Sequence, residues 1–209
     1  MKPDYTLYLV TEESIPLEQL LLTVEEAVKG GVTIVQLREK KASGKSFFEK
    51  AKRIKALLSS YNVPLFINDR VDVALAVSAD GVHVGQSDLP LEAVRNIIPS
   101  SMIVGISVST IEEAKEAEKN GADYIGVGAV YPTHSKNDAE VLPKGMLSAI
   151  TNAVSIPAVA IGGIKHDHLP AIRKMNIAGV AIVSGIMKAS SPYNAASSYR
   201  KIWDNQIHS

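Results

Sequence analysis

The sequence predicts an α/β protein that folds as a single TIM-type (β/α)8 barrel, and three observations support this. Short runs of β-branched and other apolar residues alternate with longer segments of helical period, which is typical of a parallel sheet. Eight such pairs follow one another, which favours a closed barrel over the alternative, an open sheet with the same periodicity. A Gly-containing turn recurs before every second strand, in GGVTIVQL, ADGVHVG, GADYIGVG and AGVAIVSG, as expected for duplicated quarters.

Strands are predicted where β-branched and apolar residues cluster between turn residues. In chain order, the predicted strands 1 to 8 lie at 6–11, 33–39, 64–68, 81–85, 103–108, 124–130, 158–161 and 180–184.

Helices are predicted where apolar residues recur at the helical period between those strands. They lie at 17–29, 46–60, 71–77, 91–98, 111–119, 146–153, 168–175 and 194–205. No linker or change of composition divides the chain, so residues 1–209 are expected to form one domain.

The composition excludes several classes of protein. With 46% hydrophobic and 21% charged residues, the chain is not disordered. Its 22 basic and 22 acidic residues give no excess charge that would attract nucleic acid or an anionic membrane. The chain has no cysteine, no run of apolar residues long enough to span a membrane and no signal-peptide pattern at its N-terminus, so a cytoplasmic location is expected.

Predicted strand 2 ends in QLREK, at the edge where such barrels carry their reactive residues. Alternation along the strand places Gln36, Arg38 and Lys40 on one face, and Leu37 and Glu39 on the other. An arginine at the end of a strand is seldom without a partner, so Arg38 is expected to bind an anion. Lys41 and Lys45 are interpreted as part of a solvated loop, which is also an alternative for Lys40.

The next two strands end in acidic residues. FINDR brings Asn68 and Asp69 to the rim, and HVGQSDLP brings Asp88. Each aspartate taken alone is better explained as the N-cap of the following helix. Together, beside Arg38 and Lys40, they form a place where Mg²⁺ and a polyanion could meet.

The last three strands run into segments suited to phosphate. Predicted strand 6 leads into VYPTHSKND, whose hydroxyls and lysine could bind an anion, although a polar surface loop is an equal alternative. Strand 7 ends in IGGIK, where Gly162 and Gly163 permit close approach to the backbone, and strand 8 ends in IVSGI. Barrels of this type commonly bind phosphate there.

The remaining histidines and aromatic residues carry weaker signals. His166 and His168 could form a metal pair, but they are interpreted as opening the seventh helix around an Asp167 cap. His83 is interpreted as a hydrogen-bonded histidine of the core or rim. Tyr199 and Trp203 are read as packing residues.

The ordered motifs QLREK, IND, HVGQSD, GISVS, YPTHSK, IGGI and IVSGI closely resemble the thiamine phosphate synthase family, from about Tyr5 to Arg200. The resemblance implies an enzyme that joins hydroxymethylpyrimidine diphosphate to a thiazole monophosphate and releases diphosphate. It also implies a dissociative mechanism, in which the bond to diphosphate breaks before the thiazole nitrogen attacks.

Matching motif positions implies roles for individual residues. Asp69 and Asp88 would bind Mg²⁺. The pyrimidine diphosphate site would comprise Gln36, Leu37, Arg38, Glu39, Lys40, Asn68, Ser107 and Lys136, of which Arg38, Ser107 and Lys136 would be catalytic. The thiazole phosphate site would comprise Thr133, His134, Ser135, Gly163, Val183 and Ser184.

Three positions depart from the usual family pattern: Ser135 replaces a common threonine, Ser109 a polar aromatic residue and Ala129 a proline. Two alternative functions stay open. A thiazole tautomerase would keep the phosphate site without needing the two carboxylates, and a non-catalytic barrel would bind a thiamine precursor only. The implied partners are small molecules, and the sequence also permits a homo-oligomer.

Overall fold

A computed structural model describes residues 3–13, 15–133 and 140–205. Within these ranges, eight parallel strands form a closed barrel in which each strand pairs with the next and β1 pairs with β8. The strands are β1 Leu7–Val10, β2 Ile34–Leu37, β3 Leu65–Asn68, β4 Gly81–Val84, β5 Ile103–Val108, β6 Tyr124–Val127, β7 Ala158–Ile161 and β8 Gly179–Ile182. The predicted barrel is therefore confirmed.

Helices follow the strands on the outside of the barrel. Those in the described ranges are α1 Leu17–Lys29, α2 Gly44–Ser59, α3 Val71–Ala76, α4 Leu91–Ile97, α5 Ile111–Lys119, α6 Met146–Ala153, α7 Leu169–Ile172, α8 Ser184–Met187 and α9 Pro192–Asn205. None of them is long and apolar enough to cross a membrane.

The strands bury a different core on each face. Successive residues of each strand point alternately into the barrel and toward the helices. Tyr8, Phe66 and Tyr124 pack with other inward residues in a small interior core. Outward residues such as Leu37 and Ile67 join the larger core beneath the helices. Tyr199 and Trp203 on α9 belong to that outer core, which confirms their interpretation as packing residues.

Glycines make room for rings inside the barrel. A Cβ on Gly105 would lie 2.1 Å from the Tyr124 ring, and one on Gly81 would lie 2.8 Å from the Phe66 ring. A large ring on one strand thus packs against a glycine on the neighbouring strand. These pairs fill the lower part of the barrel and leave its carboxyl-terminal end open.

The structure corrects details of the predicted elements. Predicted strands 2 and 6 end two and three residues later than β2 and β6, because their last residues already belong to the rim loops. Helix α8 was not predicted. The seventh helix is a 3₁₀ turn at His166–His168 followed by the short α7, and Asp167 lies inside that turn instead of capping it.

Candidate active site

A cavity of about 1250 Å³ opens at the carboxyl-terminal end of the barrel. Residues that follow all eight strands line it, as the rule for these barrels predicts.

The end of β2 presents polar residues to this cavity on one face only. Gln36, Arg38 and Lys40 line the cavity. Leu37 is fully buried in the outer core, and the Glu39 carboxylate accepts a hydrogen bond from Lys50 Nζ at 2.5 Å. The side chains of Leu37 and Glu39 therefore face away from the site in which the resemblance placed them, because strand alternation turns them outward.

Arg38 brings a positive charge to the cavity. Its backbone amide donates to Thr11 Oγ1 at 3.0 Å, which fixes the chain at this point. Its guanidinium has no carboxylate partner among the residues that the structure describes, and the side chain is half-buried. A half-buried guanidinium facing a cavity is well suited to an anionic ligand.

The two aspartates face each other across the same rim. Asp69, in the left-handed region with a φ of 61°, is paired with the Lys40 ammonium group. The Asp88 carboxylate accepts a hydrogen bond from the Gly85 amide at 2.7 Å. Neither aspartate caps a helix, because α3 and α4 begin after Arg70 and Pro90 without side-chain caps. The helix-cap interpretation is therefore wrong for both.

The electrostatics of this pair favour a cation. Burial raises the pKa of the Asp88 carboxyl, and the neighbouring Asp69 carboxylate raises it further, whereas the hydrogen bond from the Gly85 amide and the charge of Lys40 oppose the shift. No group of three or more His, Asp or Glu side chains is placed to hold a metal in the described ranges. Two carboxylates suit Mg²⁺, which commonly completes its shell with water and substrate phosphate oxygens.

The loops after β6 and β7 are packed tightly against each other. Gly162 and Gly163 have φ values of 101° and 62°. A Cβ on Gly163 would lie 2.4 Å from the Pro132 carbonyl oxygen and 2.7 Å from that of Tyr131. The close approach that this glycine permits is therefore that of the neighbouring loop, which carries Thr133 into the cavity wall.

Aromatic stacking reinforces these loops. The Tyr131 and His168 rings stack with centroids 3.6 Å apart, and the His166 and Tyr199 rings stack at 3.9 Å. Each histidine considered as a possible metal ligand thus packs on a separate tyrosine.

The other predicted phosphate residues fall in two groups. Val183 and Ser184 line the cavity where β8 gives way to α8. His134, Ser135 and Lys136 lie outside the described residues.

At the floor of the cavity, five lining side chains form a hydrogen-bonded chain that crosses the barrel. Gln36 Nε2 donates to the Tyr8 hydroxyl at 2.8 Å, and the two tyrosine hydroxyls, of Tyr8 and Tyr124, are 2.9 Å apart. His83 Nδ1 lies 2.8 Å from the Tyr124 hydroxyl, and His83 Nε2 lies 2.9 Å from Ser107 Oγ. The interpretation of His83 as a hydrogen-bonded rim histidine is confirmed. Sequence reasoning did not single out the two tyrosines.

An ion pair at the rim also went unpredicted. Lys188 Nζ lies 2.8 Å from Glu12 Oε1, and both residues line the cavity. They follow β8 and β1, which become neighbours only when the barrel closes.

Comparison with known proteins identifies the family. The model of the thiamine monophosphate synthase family matches residues 7–186. The chain belongs to this family. A thiamine-phosphate synthase from Methanobrevibacter smithii is 50% identical over 198 residues, which cover 95% of each chain. One from Ruminiclostridium cellulolyticum is 48% identical and covers 98% of each.

Solved structures agree with this assignment. A thiamine phosphate pyrophosphorylase from Pyrococcus furiosus superposes with a TM-score of 0.89, at 40% identity and 98% coverage of both chains. A 3-hexulose-6-phosphate synthase, 18% identical with a TM-score of 0.69, shares the fold alone. Thiamine phosphate synthase family membership, predicted from the ordered motifs, is therefore confirmed.

Proposed function

We propose that this protein is a transferase of thiamine biosynthesis. It couples hydroxymethylpyrimidine diphosphate to a thiazole monophosphate and releases thiamine phosphate and diphosphate. The observation that carries this proposal is the convergence of Asp69, Asp88, Arg38 and Lys40 on one rim of a barrel of this family.

The chemistry requires stabilisation of a leaving diphosphate. When the carbon–oxygen bond breaks, its electron pair leaves with the diphosphate, and the pyrimidine methylene carbon becomes a cation that the thiazole nitrogen captures. Asp69 and Asp88 would hold Mg²⁺, which neutralises charge on the diphosphate when bound. Positive groups set in place before bond cleavage lower the barrier because the charge on the departing oxygens increases along the reaction.

Arg38 and Lys40 are suited to bind that diphosphate. The Arg38 guanidinium faces the cavity with no carboxylate to neutralise it among the described residues. The Lys40 ammonium contacts Asp69, so it lies where a diphosphate oxygen beside that carboxylate would be bound. We assign the same role to Lys136, on the basis of its motif position. A cationic electrophile needs no general base for its formation.

The acceptor is assigned to the other side of the cavity. Thr133, Gly163, Val183 and Ser184 would bind the thiazole phosphate, together with His134 and Ser135. Asn68 and Gln36 reach the cavity from β3 and β2 and would contact the pyrimidine. The two anionic groups would thus lie on different loops, with the reacting atoms between them.

The decisive experiment mixes both substrates with the protein and Mg²⁺ and measures thiamine phosphate and diphosphate together. Release of both in equal amounts supports the coupling reaction. A tautomerase would convert the thiazole substrate without releasing diphosphate, and a binding protein would saturate with ligand without turnover. Repeating the assay with the carboxylated and plain thiazole phosphates identifies the preferred acceptor.

We further propose a cytoplasmic location, in keeping with the absence of cysteine from the sequence and with small-molecule substrates. The proposed partners are these substrates, and neither nucleic acid nor a membrane surface is among them, because the sequence carries no net charge. Homo-oligomer formation stays a prediction.

A further inference from the structure

The hydrogen-bonded chain at the floor of the cavity has a direction, and that direction determines whether Ser107 donates or accepts a proton. The chain runs from Gln36 through Tyr8, Tyr124 and His83 to Ser107, with four contacts of 2.8 to 2.9 Å. Four of its five members are at most 9% exposed, so water has little access to their polar atoms; they are Gln36, Tyr8, Tyr124 and His83.

A tyrosine hydroxyl has one proton, so each link depends on the one before it. Gln36 Nε2 donates to the Tyr8 oxygen. Within the described ranges, the other polar partner of that oxygen is the Tyr124 hydroxyl. The Tyr8 proton must therefore go to Tyr124, because a buried hydroxyl proton without an acceptor is costly. The Tyr124 proton is then directed to His83 Nδ1.

This order sets the tautomer of His83. A neutral imidazole that accepts at Nδ1 carries its proton on Nε2. Nε2 lies 2.9 Å from Ser107 Oγ, so the histidine donates to the serine. Burial raises the pKa of both tyrosine hydroxyls, which keeps their protons in place.

Two glycines leave space for the rings of His83 and Tyr124. The Gly126 Cα position faces His83, where a Cβ would lie 3.1 Å from the ring carbon Cε1. Gly105 likewise leaves room for the Tyr124 ring. A side chain at either glycine would therefore displace a ring of the hydrogen-bonded chain.

We propose that this chain polarises Ser107 as a hydrogen-bond donor to the bound pyrimidine diphosphate and that Tyr124 and His83 are its positioning residues. The Ser107 and His83 pair has the spacing of a nucleophile and its general base. In this pair, however, the histidine is the hydrogen-bond donor, because Nε2 already holds a proton and cannot accept one from the serine. The Ser107 proton is left free to point into the cavity. The identity of its acceptor rests on the proposed function, whereas the tautomer does not.

The tautomer is measured by nuclear magnetic resonance on the ¹⁵N-labelled free protein. Long-range proton–nitrogen correlations distinguish protonated from unprotonated ring nitrogens, and His83→Gln identifies the His83 signals by their loss. We expect Nε2 to be protonated and Nδ1 unprotonated. The opposite tautomer in the wild-type protein would overturn the proposal, whatever the enzyme's activity.

Two variants test the hydrogen-bonded chain. Tyr124→Phe removes the donor to Nδ1 and should shift His83 toward a mixture of tautomers. Tyr5→Phe is the matched control, because the Tyr5 ring packs on Tyr124 with centroids 4.9 Å apart while its hydroxyl takes no part in the chain. An equal spectral change in both variants would refute a specific role for the Tyr124 hydroxyl.

Kinetics tests the consequence for Ser107. Tyr124→Phe should lower kcat for coupling by about three- to tenfold, the effect of one hydrogen bond, and leave the KM of the thiazole phosphate unchanged. Tyr5→Phe should leave both unchanged. A shifted tautomer with wild-type kcat would overturn the assignment of Ser107 as a donor to substrate. If the wild-type protein failed to couple the substrates, the proposed function would fail while the tautomer measurement still tested the chain.

Discussion

Replacing Gly163 by alanine should weaken binding of the thiazole phosphate through the loop that packs on this glycine. The new Cβ would lie 2.4 Å from the Pro132 carbonyl oxygen. Bringing that contact to 3.0 Å, below which Cβ contacts are essentially never seen, requires about 0.6 Å of movement. The loop that must move leads directly into Thr133.

The size of the effect follows from that displacement. Misplacement of a binding group by about 1 Å can reduce activity by ~10²-fold. A shift of somewhat more than half that distance should raise the KM of the thiazole phosphate by about tenfold. The KM of the pyrimidine diphosphate should change little, because that substrate is assigned to the loops after β2 to β5.

Gly145 provides a matched control. Its φ is 85°, also in the left-handed region, but a Cβ there would have nothing within 4 Å. Gly145→Ala therefore imposes the backbone cost, roughly 1 to 2 kcal/mol, without the collision. Steady-state kinetics with each substrate varied in turn, together with thermal melts, separates the two effects. Equal KM values in the two variants, or equal losses for both substrates in Gly163→Ala, would refute the reasoning.

Three further predictions concern charge. Chelator should abolish turnover and Asp88→Ala should weaken binding of Mg²⁺ and diphosphate, measured by calorimetry, without lowering the melting temperature much; full activity in chelator would contradict the metal assignment. Arg38→Met should lower kcat by about ten- to hundredfold, the effect of a hydrogen bond to a charged group, with little change in the thiazole phosphate KM, whereas Lys41→Met in the exposed loop should have no effect. Lys50→Met leaves the Glu39 carboxylate buried without its cation and should lower the free energy of unfolding by about 3 to 5 kcal/mol in urea titrations. Unchanged stability would show that this pair is not structural.

The accuracy of the sequence predictions depended on how local their signals were. Strand β5 has the predicted bounds because turn residues flank both of its ends. Helix α8 has four residues, too few to show a helical period. Helix α7 stops at Ile172, three residues before the predicted end, and the chain reaches a left-handed residue at Asn176.

The candidate site likewise contains residues that local signals predict and contacts that they do not. Asp69 and Asp88 were predicted to meet because neighbouring parallel strands end at the same edge. The contact between Tyr8 and Tyr124 joins residues 116 positions apart and depends on how far two rings reach across the barrel. The pattern of alternating residues shows which side chains point inward, but it does not show which of them touch.

Rings pack against glycines inside the barrel, so the volume of these side chains determines where the floor of the cavity lies. Tyr124 and Phe66 fill space that Gly105 and Gly81 leave open, so neither partner of a pair can grow alone. Exchanging the large and small partners between adjacent strands would move the bulk sideways at constant volume. Shrinking the Tyr124 ring would deepen the cavity and would also remove the hydroxyl that links Tyr8 to His83. Because Tyr124 also belongs to the hydrogen-bonded chain that ends at Ser107, the depth of the cavity and the chemistry of its lining are coupled at this residue.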